Sequence, residues 1–301
     1  MGVKSELSVG SVFSFTLSFQ KTSESPEIAM EEEWMQGNAN QHCKILLVED
    51  NALNQLLIKT LMVDFGFELD VVDNGKLAIE KITSNQQNSV KGYDIILMDL
   101  LMPEMDGFET SVYIRNELQL DIPIIALTAN IASTGVRKCI EVGMNDYIAK
   151  PIDEKLLFSK IIHLLKLPMG SRGYGIQKGF TSDSINNKCT DLSYLKRRTK
   201  NDTALTAEMI RIYLKQTPEL INAIKEGIEK KDWSLLYAAA HKLLPSFAIM
   251  GIDPRFEEIT KKIQEYAGSP EDLSAVQENV ASIEAICKQA IEELELDLKI
   301  L

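Results

Sequence analysis

Five short apolar runs, each followed by a stretch of helical periodicity, constrain the fold of this chain more than any other feature. The runs fall at 44–48, 68–72, 94–98, 123–127 and 146–149, and the helical stretches at about 51–65, 75–84, 107–118, 132–142 and 153–167. Runs such as Ile45-Leu46-Leu47-Val48 and Ile95-Ile96-Leu97-Met98 have no polar alternation, so both of their faces must be covered. Repeated strand–helix units of this kind predict a (βα)5 doubly wound parallel sheet, an α/β fold, over residues 43–167. Asp153, four residues before Leu157, is the predicted N-cap of the last of these helices.

The strand ends carry the chemistry. Glu49-Asp50 closes the first run, Asp99 the third, Thr128 the fourth and Lys150-Pro151 the fifth. Open α/β sheets build their sites at these carboxyl ends. Three acids brought together there repel one another and raise each other's pKa unless a cation intervenes. An all-oxygen cluster suits Mg²⁺, which takes one or two carboxylates and keeps several waters. The cation, Lys150 and the Thr128 hydroxyl would then neutralise and bind phosphoryl oxygens while Asp99 attacks phosphorus, because phosphoryl transfer needs positioning and charge stabilisation above all.

Composition narrows the function classes. A net charge of −12 and the absence of a basic recognition helix argue against nucleic acid as a partner and leave room for basic protein partners. Cys43, Cys139, Cys189 and Cys287 are scattered and only three histidines are present, so neither a disulfide framework nor a structural zinc site is expected. No apolar run approaches the ~18 residues of a membrane span, so direct membrane contact is not expected of this segment. The expected location is cytoplasmic, with a longer parent free to be membrane-anchored.

Outside the α/β segment the pattern changes twice. Phe13, Phe15, Leu17 and Phe19 alternate with polar residues, a strand signal, and 21–42 and 168–190 read as linkers rich in Ser, Gly, Asn and charge. From Asp191 onward only helical patterns remain. Thr217-Pro218, Asp253-Pro254, Ser269-Pro270 and Asp232 are the predicted helix starts. A stripe from Leu273 through Val276, Val280, Ile283, Cys287, Ala290 and Leu294 to Leu298 predicts the core face of a helical bundle.

With these residues in view, 43–167 resembles a response-regulator receiver domain of the kind appended to hybrid sensor histidine kinases. The matching motifs are ILLVEDN (45–51) with Asn54-Gln55, ILMDLLMPEMDGFE (96–109), PIIALTAN (123–130) and GMNDYIAKPI (143–152). The resemblance implies that Asp99 is the phosphoacceptor and also a metal ligand. Asp50 would be a direct ligand, Glu49 would act through water, and the Leu101 carbonyl would complete the protein ligands. It further implies that Thr128 and Tyr147 form a switch pair, that Lys150 contacts the phosphoryl group, and that the Lys150–Pro151 bond is cis. Leu101 departs from the family, which often carries a polar side chain there.

The segment Tyr237-Ala-Ala-Ala-His241 with Ser246 and Gly251 resembles a His-containing phosphotransfer domain on a four-helix bundle, here 191–301. His241 would be the phosphorylated residue, solvent-facing, because Leu236, Ala240, Leu243 and Phe247 offer the core a different face. Leu244 and Pro245 depart from the Lys and Gly the family commonly has, and Pro245 is expected to bend the helix at a cost of roughly 3 kcal/mol. Lys242 offers an alternative positive charge but points about 100° from His241. Residues 1–20, with Gly10-Ser11-Val12-Phe13-Ser14-Phe15, resemble the last hairpin of a histidine-kinase ATPase domain. Nothing resembles the nucleotide-binding boxes, so no kinase activity is expected.

Together these resemblances imply a two-component phosphorelay: an upstream histidine kinase domain supplies Asp99, Asp99 supplies His241, and His241 supplies a downstream receiver. The rival is a receiver-controlled interaction module whose helices only dock partners. His241→Ala separates the two, since it abolishes a relay and spares a docking platform.

Overall fold

The computed structural model describes residues 2–6, 10–14, 43–88, 91–128, 133–166, 188–268 and 273–301. Near the N-terminus, β1 (Gly2–Glu6) and β2 (Gly10–Ser14) form an antiparallel pair with Gly2 opposite Ser14 and Glu6 opposite Gly10. Of the alternating aromatic pattern only Phe13 falls in β2. Phe15, Leu17 and Phe19, the 21–42 segment and most of 168–190 lie outside the described residues.

The α/β segment runs β3 (Lys44–Val48), α1 (Ala52–Phe65), β4 (Glu68–Val72), α2 (Gly75–Gln87), β5 (Ile95–Asp99), α3 (Gly107–Asn116), β6 (Ile124–Thr128), α4 (Ser133–Glu141), β7 (Asp146–Ala149), α5 (Glu154–Leu164). The five strands are parallel, in the order β4-β3-β5-β6-β7. Every residue of β5 and β6 is buried, as covered faces require. β5 and β6 end one residue later than their apolar runs, at Asp99 and Thr128. The ladder carries through both, pairing Asp99 with Leu127 and Thr128 with Ala149.

Local chemistry starts the helices. Asn51 accepts from the Leu53 and Asn54 N–H groups, Asp106 and Glu109 form a reciprocal capping box, and Asp153 accepts from Leu156 N–H as predicted. The order of strands places a topological switch between β3 and β5, with their carboxyl ends side by side.

A helical region follows: α6 (Ser193–Arg198), α7 (Thr203–Lys230), α8 (Trp233–Met250), α9 (Arg255–Gly268) and α10 (Leu273–Leu298). α7 packs on α8, α8 on α9, α9 on α10, and α10 returns to α7. Asp232 caps α8 through Leu235 N–H, and Asp253 accepts from Arg255 N–H at the start of α9. The Ser269-Pro270 start lies outside the described residues.

The predicted start at Thr217-Pro218 is wrong. α7 runs through it with Pro218 inside, because Ile210, Tyr213, Thr217, Ile221 and Ile224 form one buried stripe across the proline. Keeping that stripe buried outweighs the lost backbone bond. α8 is likewise continuous through Pro245, which is itself buried.

The α/β segment and the helical region share a core. Leu53 and Leu57 of α1 belong to the same buried apolar cluster as Ile210, Tyr213, Leu243 and Phe247. Lys200 pairs with Asp64 at 2.7 Å across this seam, and Arg198 pairs with Glu154.

Gly251 closes α8 at φ +64°, and a Cβ there would meet the Asp191 carbonyl oxygen at 2.0 Å. Gly251→Ala should therefore cost about 1–3 kcal/mol of stability. Gly268→Ala, with nothing within 4 Å of an added Cβ, should stay near neutral. Denaturant unfolding of both variants checks the contrast; equal losses would contradict it.

Candidate functional site

Glu49, Asp50 and Asp99 present carboxylate oxygens within 4.8 Å of one another at the ends of β3 and β5. Glu49 is 0% and Asp99 1% exposed. Lys150, just beyond β7, bridges two of them, its Nζ donating to Glu49 Oε2 and to Asp99 Oδ2 at 2.7 Å each. Asn54 Nδ2 donates to Glu49 Oε1 at 3.0 Å, and the Leu101 N–H lies 3.4 Å from Asp99 Oδ1. Thr128 is buried at the end of β6, where its carbonyl accepts from Lys150 N–H at 2.7 Å. Gly107 lets the loop after β5 fold back, since a Cβ there would lie 2.2 Å from the Asp99 carbonyl oxygen.

Burial sets the electrostatics. For Glu49, burial and then the neighbouring Asp99 charge outweigh Lys150 and push its carboxyl up to about 8. Burial also pushes Asp99 upward, but Lys150 and His241 win and hold it below the usual carboxylate range. Lys150 is buried too, and its two carboxylate partners hold its ammonium above the usual range. Asp99 is thus the anion of the pair and Glu49 the weaker acid.

Asp50 completes the cluster. Burial raises its pKa against the opposing effect of Lys242, and Asp50 Oδ1 is buried without a hydrogen-bond partner among the described residues. An orphaned carboxylate oxygen beside two further carboxylates fits a hard divalent cation with oxygen ligands, Mg²⁺ foremost. The Lys150–Pro151 bond is cis, as the resemblance implied. Tyr147 is half-buried on β7, with Lys160 Nζ 5.3 Å from its ring centroid.

The helical region closes the site. His241 Nε2 lies 3.9 Å from Asp99 Oδ1, and Lys242 Nζ lies 2.7 Å from Asp50 Oδ2. Asn51 Nδ2 donates to the Lys242 carbonyl at 2.8 Å.

One expectation needs correcting. His241 is not solvent-facing: it is 4% exposed, because the sheet's carboxyl edge covers the face that Leu236, Ala240, Leu243 and Phe247 leave free. Lys242, the next residue on the helix, brings a positive charge to the site by reaching Asp50.

Sequence reasoning missed Gln264 of α9, whose Nε2 lies 3.4 Å from His241 Nδ1, and Tyr237, whose ring stacks parallel to the imidazole at 6.4 Å. Tyr237 stands one turn before His241 and was visible as such. Gln264 comes from another helix and carried no local signal.

Residues 45–162 match the family described as response regulator receiver domain. These residues form a receiver domain. Hybrid signal transduction histidine kinase I of Dictyostelium discoideum is 41% identical over 122 residues, 39% of this chain and 7% of that protein. Signal transduction histidine-protein kinase BarA of Escherichia coli (strain K12) is 29% identical over 228 residues, 73% of this chain and 23% of that protein. The chain therefore spans less than a quarter of the length of these two relatives. The receiver domain of a sensor histidine kinase from Pseudomonas aeruginosa PAO1, solved with magnesium in its active-site cleft, is 36% identical. That match covers 41% of this chain and 98% of that one, with a TM-score of 0.36. Receiver domains of hybrid kinases belong to two-component signalling. No helix among the described residues is long and apolar enough to cross a membrane.

The Glu49 shift makes stability depend on pH. Its folded pKa of about 8 lies above the ordinary 4.5, so between these values the folded receiver domain keeps a proton that the unfolded chain has lost. This contribution is complete below 4.5 and is lost as pH rises through about 8. In buffer free of divalent cations, unfolding free energy should fall with pH less steeply in Glu49→Gln than in the parent chain. Equal slopes would contradict the assignment.

Proposed function

We propose that this chain is a relay segment of a hybrid histidine kinase, in which Asp99 receives a phosphoryl group and hands it to His241. The observation that carries the reading is the 3.9 Å separation of His241 Nε2 from Asp99 Oδ1. In this reading 43–167 is the receiver domain and 191–301 a four-helix-bundle phosphotransfer domain. Residues 168–190 and 21–42 are linkers, and 1–20 is the tail of an ATPase domain. The extent of the BarA match, 73% of this chain, supports likeness beyond the receiver segment.

The chemistry follows from the charges. Asp99, held anionic, attacks the phosphorus of a phosphohistidine on the upstream kinase domain; its O–P bond forms as the donor N–P bond breaks. Lys150 and the Thr128 hydroxyl bind the phosphoryl oxygens. Asp50, Asp99 and the Leu101 carbonyl would hold a Mg²⁺, with Glu49 acting through water, and the ion would supply the remaining positive charge. Thr128 and Tyr147 rearrange as the switch pair.

In the second step His241 Nε2 attacks the same phosphorus, the Asp99 O–P bond breaks, and Asp99 returns to a carboxylate. For this Nε2 must be the unprotonated nitrogen, with the proton on Nδ1 facing Gln264. The Gln264 side-chain amide accepts a hydrogen bond from that Nδ1–H through Oε1 once its orientation is reversed. Held at near-contact distance, the reactants have already lost the freedom that a bimolecular encounter would cost. His241 then supplies a downstream receiver. With no ATP-binding boxes, the chain itself does not autophosphorylate.

Incubation with a small-molecule phosphodonor and Mg²⁺ should give acid-stable label on Asp99 first and base-stable label on His241 second. Asp99→Asn should abolish both, and His241→Gln should keep only the first. Label on His241 in Asp99→Asn, or none leaving Asp99 in the parent chain, would overturn the reading.

A further inference from the structure

Lys242 ends where the acid cluster is least satisfied. Lys150 serves Glu49 and Asp99, while Asp50 receives its counter-charge from the helical region, through Lys242 Nζ at 2.7 Å. The Asp50 side chain is 4% exposed, so this pair lies in a setting where charge interactions are screened little. The Lys242 side chain is 32% exposed, which lets it swing into solvent without opening a cavity. A divalent cation ligated by Asp50 must share that carboxylate with the ammonium or displace it. Two cations within a few Å repel, and the divalent one gains more from the Asp50 and Asp99 carboxylates than the monovalent one does.

We propose that Lys242 competes with the divalent cation for Asp50, so that cation binding and docking of the helical region on the receiver domain oppose each other. The proposal rests on the reading above only in taking Asp50 as a cation ligand. Linkage makes the effect reciprocal: whatever factor Lys242 takes from cation affinity, the cation takes from docking. Docking is weakened and not abolished, because Leu53, Leu57, Lys200–Asp64 and Arg198–Glu154 hold the seam without touching the cation. The cation-free chain is then the most tightly closed form, with Lys242 serving as its latch.

Titration of the full chain with Mg²⁺ in calorimetry, at low ionic strength, tests this. Lys242→Gln should bind Mg²⁺ about fivefold or more tightly than the parent, while Lys242→Arg should behave as the parent. General loss of positive charge is separated by hydrogen exchange of the Leu53–Leu57 amides. Mg²⁺ should accelerate it in the parent chain and leave it unchanged in Lys242→Gln. Equal Mg²⁺ affinity in parent and Lys242→Gln, or equal acceleration in both, overturns the competition. No Mg²⁺ binding to any of the chains would instead remove the cation site, and with it the reading of Asp50 as a ligand.

Discussion

Burying Asp99 at the centre of a parallel sheet edge is tolerable only because Lys150 comes with it. A lone carboxylate in that position would pick up a proton and lose its use as an anion. Lys150 Nζ sits between Asp99 and Glu49, 2.7 Å from each, and the imbalance is resolved by Asp99 holding its charge and Glu49 yielding. The bridge also ties β7 to β3 and β5 across the sheet. A buried ion network of this kind adds little net stability, yet removing one member leaves an uncompensated charge. Its value is that it fixes which carboxylate keeps its charge.

The helical region is built onto that edge. The apolar contact of Leu53 and Leu57 with the helical core sets the distance between the halves, and three ion pairs along the seam (Lys242–Asp50, Lys200–Asp64 and Arg198–Glu154) set the register. His241 is buried as a consequence. Its Nε2, without a hydrogen-bond partner among the described residues, faces the oxygen of Asp99. An unsatisfied buried imidazole nitrogen is ordinarily a cost; in the proposed relay it is the atom that would receive the phosphoryl group.

Much of this was legible beforehand, for physical reasons that differ by region. The strands could be read because covered faces demand unbroken apolar runs, and Asp153 and Asp232 because caps are local chemistry. Glu49, Asp50, Asp99, Thr128 and Lys150 could be placed at one edge because each ends such a run. Pro218 misled, since proline favours a first turn in isolation while the buried stripe from Ile210 to Ile224 carries the helix through it. His241 misled differently. Periodicity identifies the face turned from the helical core, but cannot say whether water or another part of the chain covers that face. Gln264 and the Lys242–Asp50 pair depend on contacts between distant elements, for which one sequence carries no signal.

In the proposed relay, Asp99 and His241 of one chain form a single reaction centre. Its most direct test is the rate at which label moves from phosphorylated Asp99 to His241 as chain concentration is varied over two decades. A single centre gives a first-order rate that does not change with concentration, and no transfer when an Asp99→Asn chain is mixed at low concentration with a labelled His241→Gln chain. A rate that rises in proportion to concentration, with full transfer in the mixture, would contradict it.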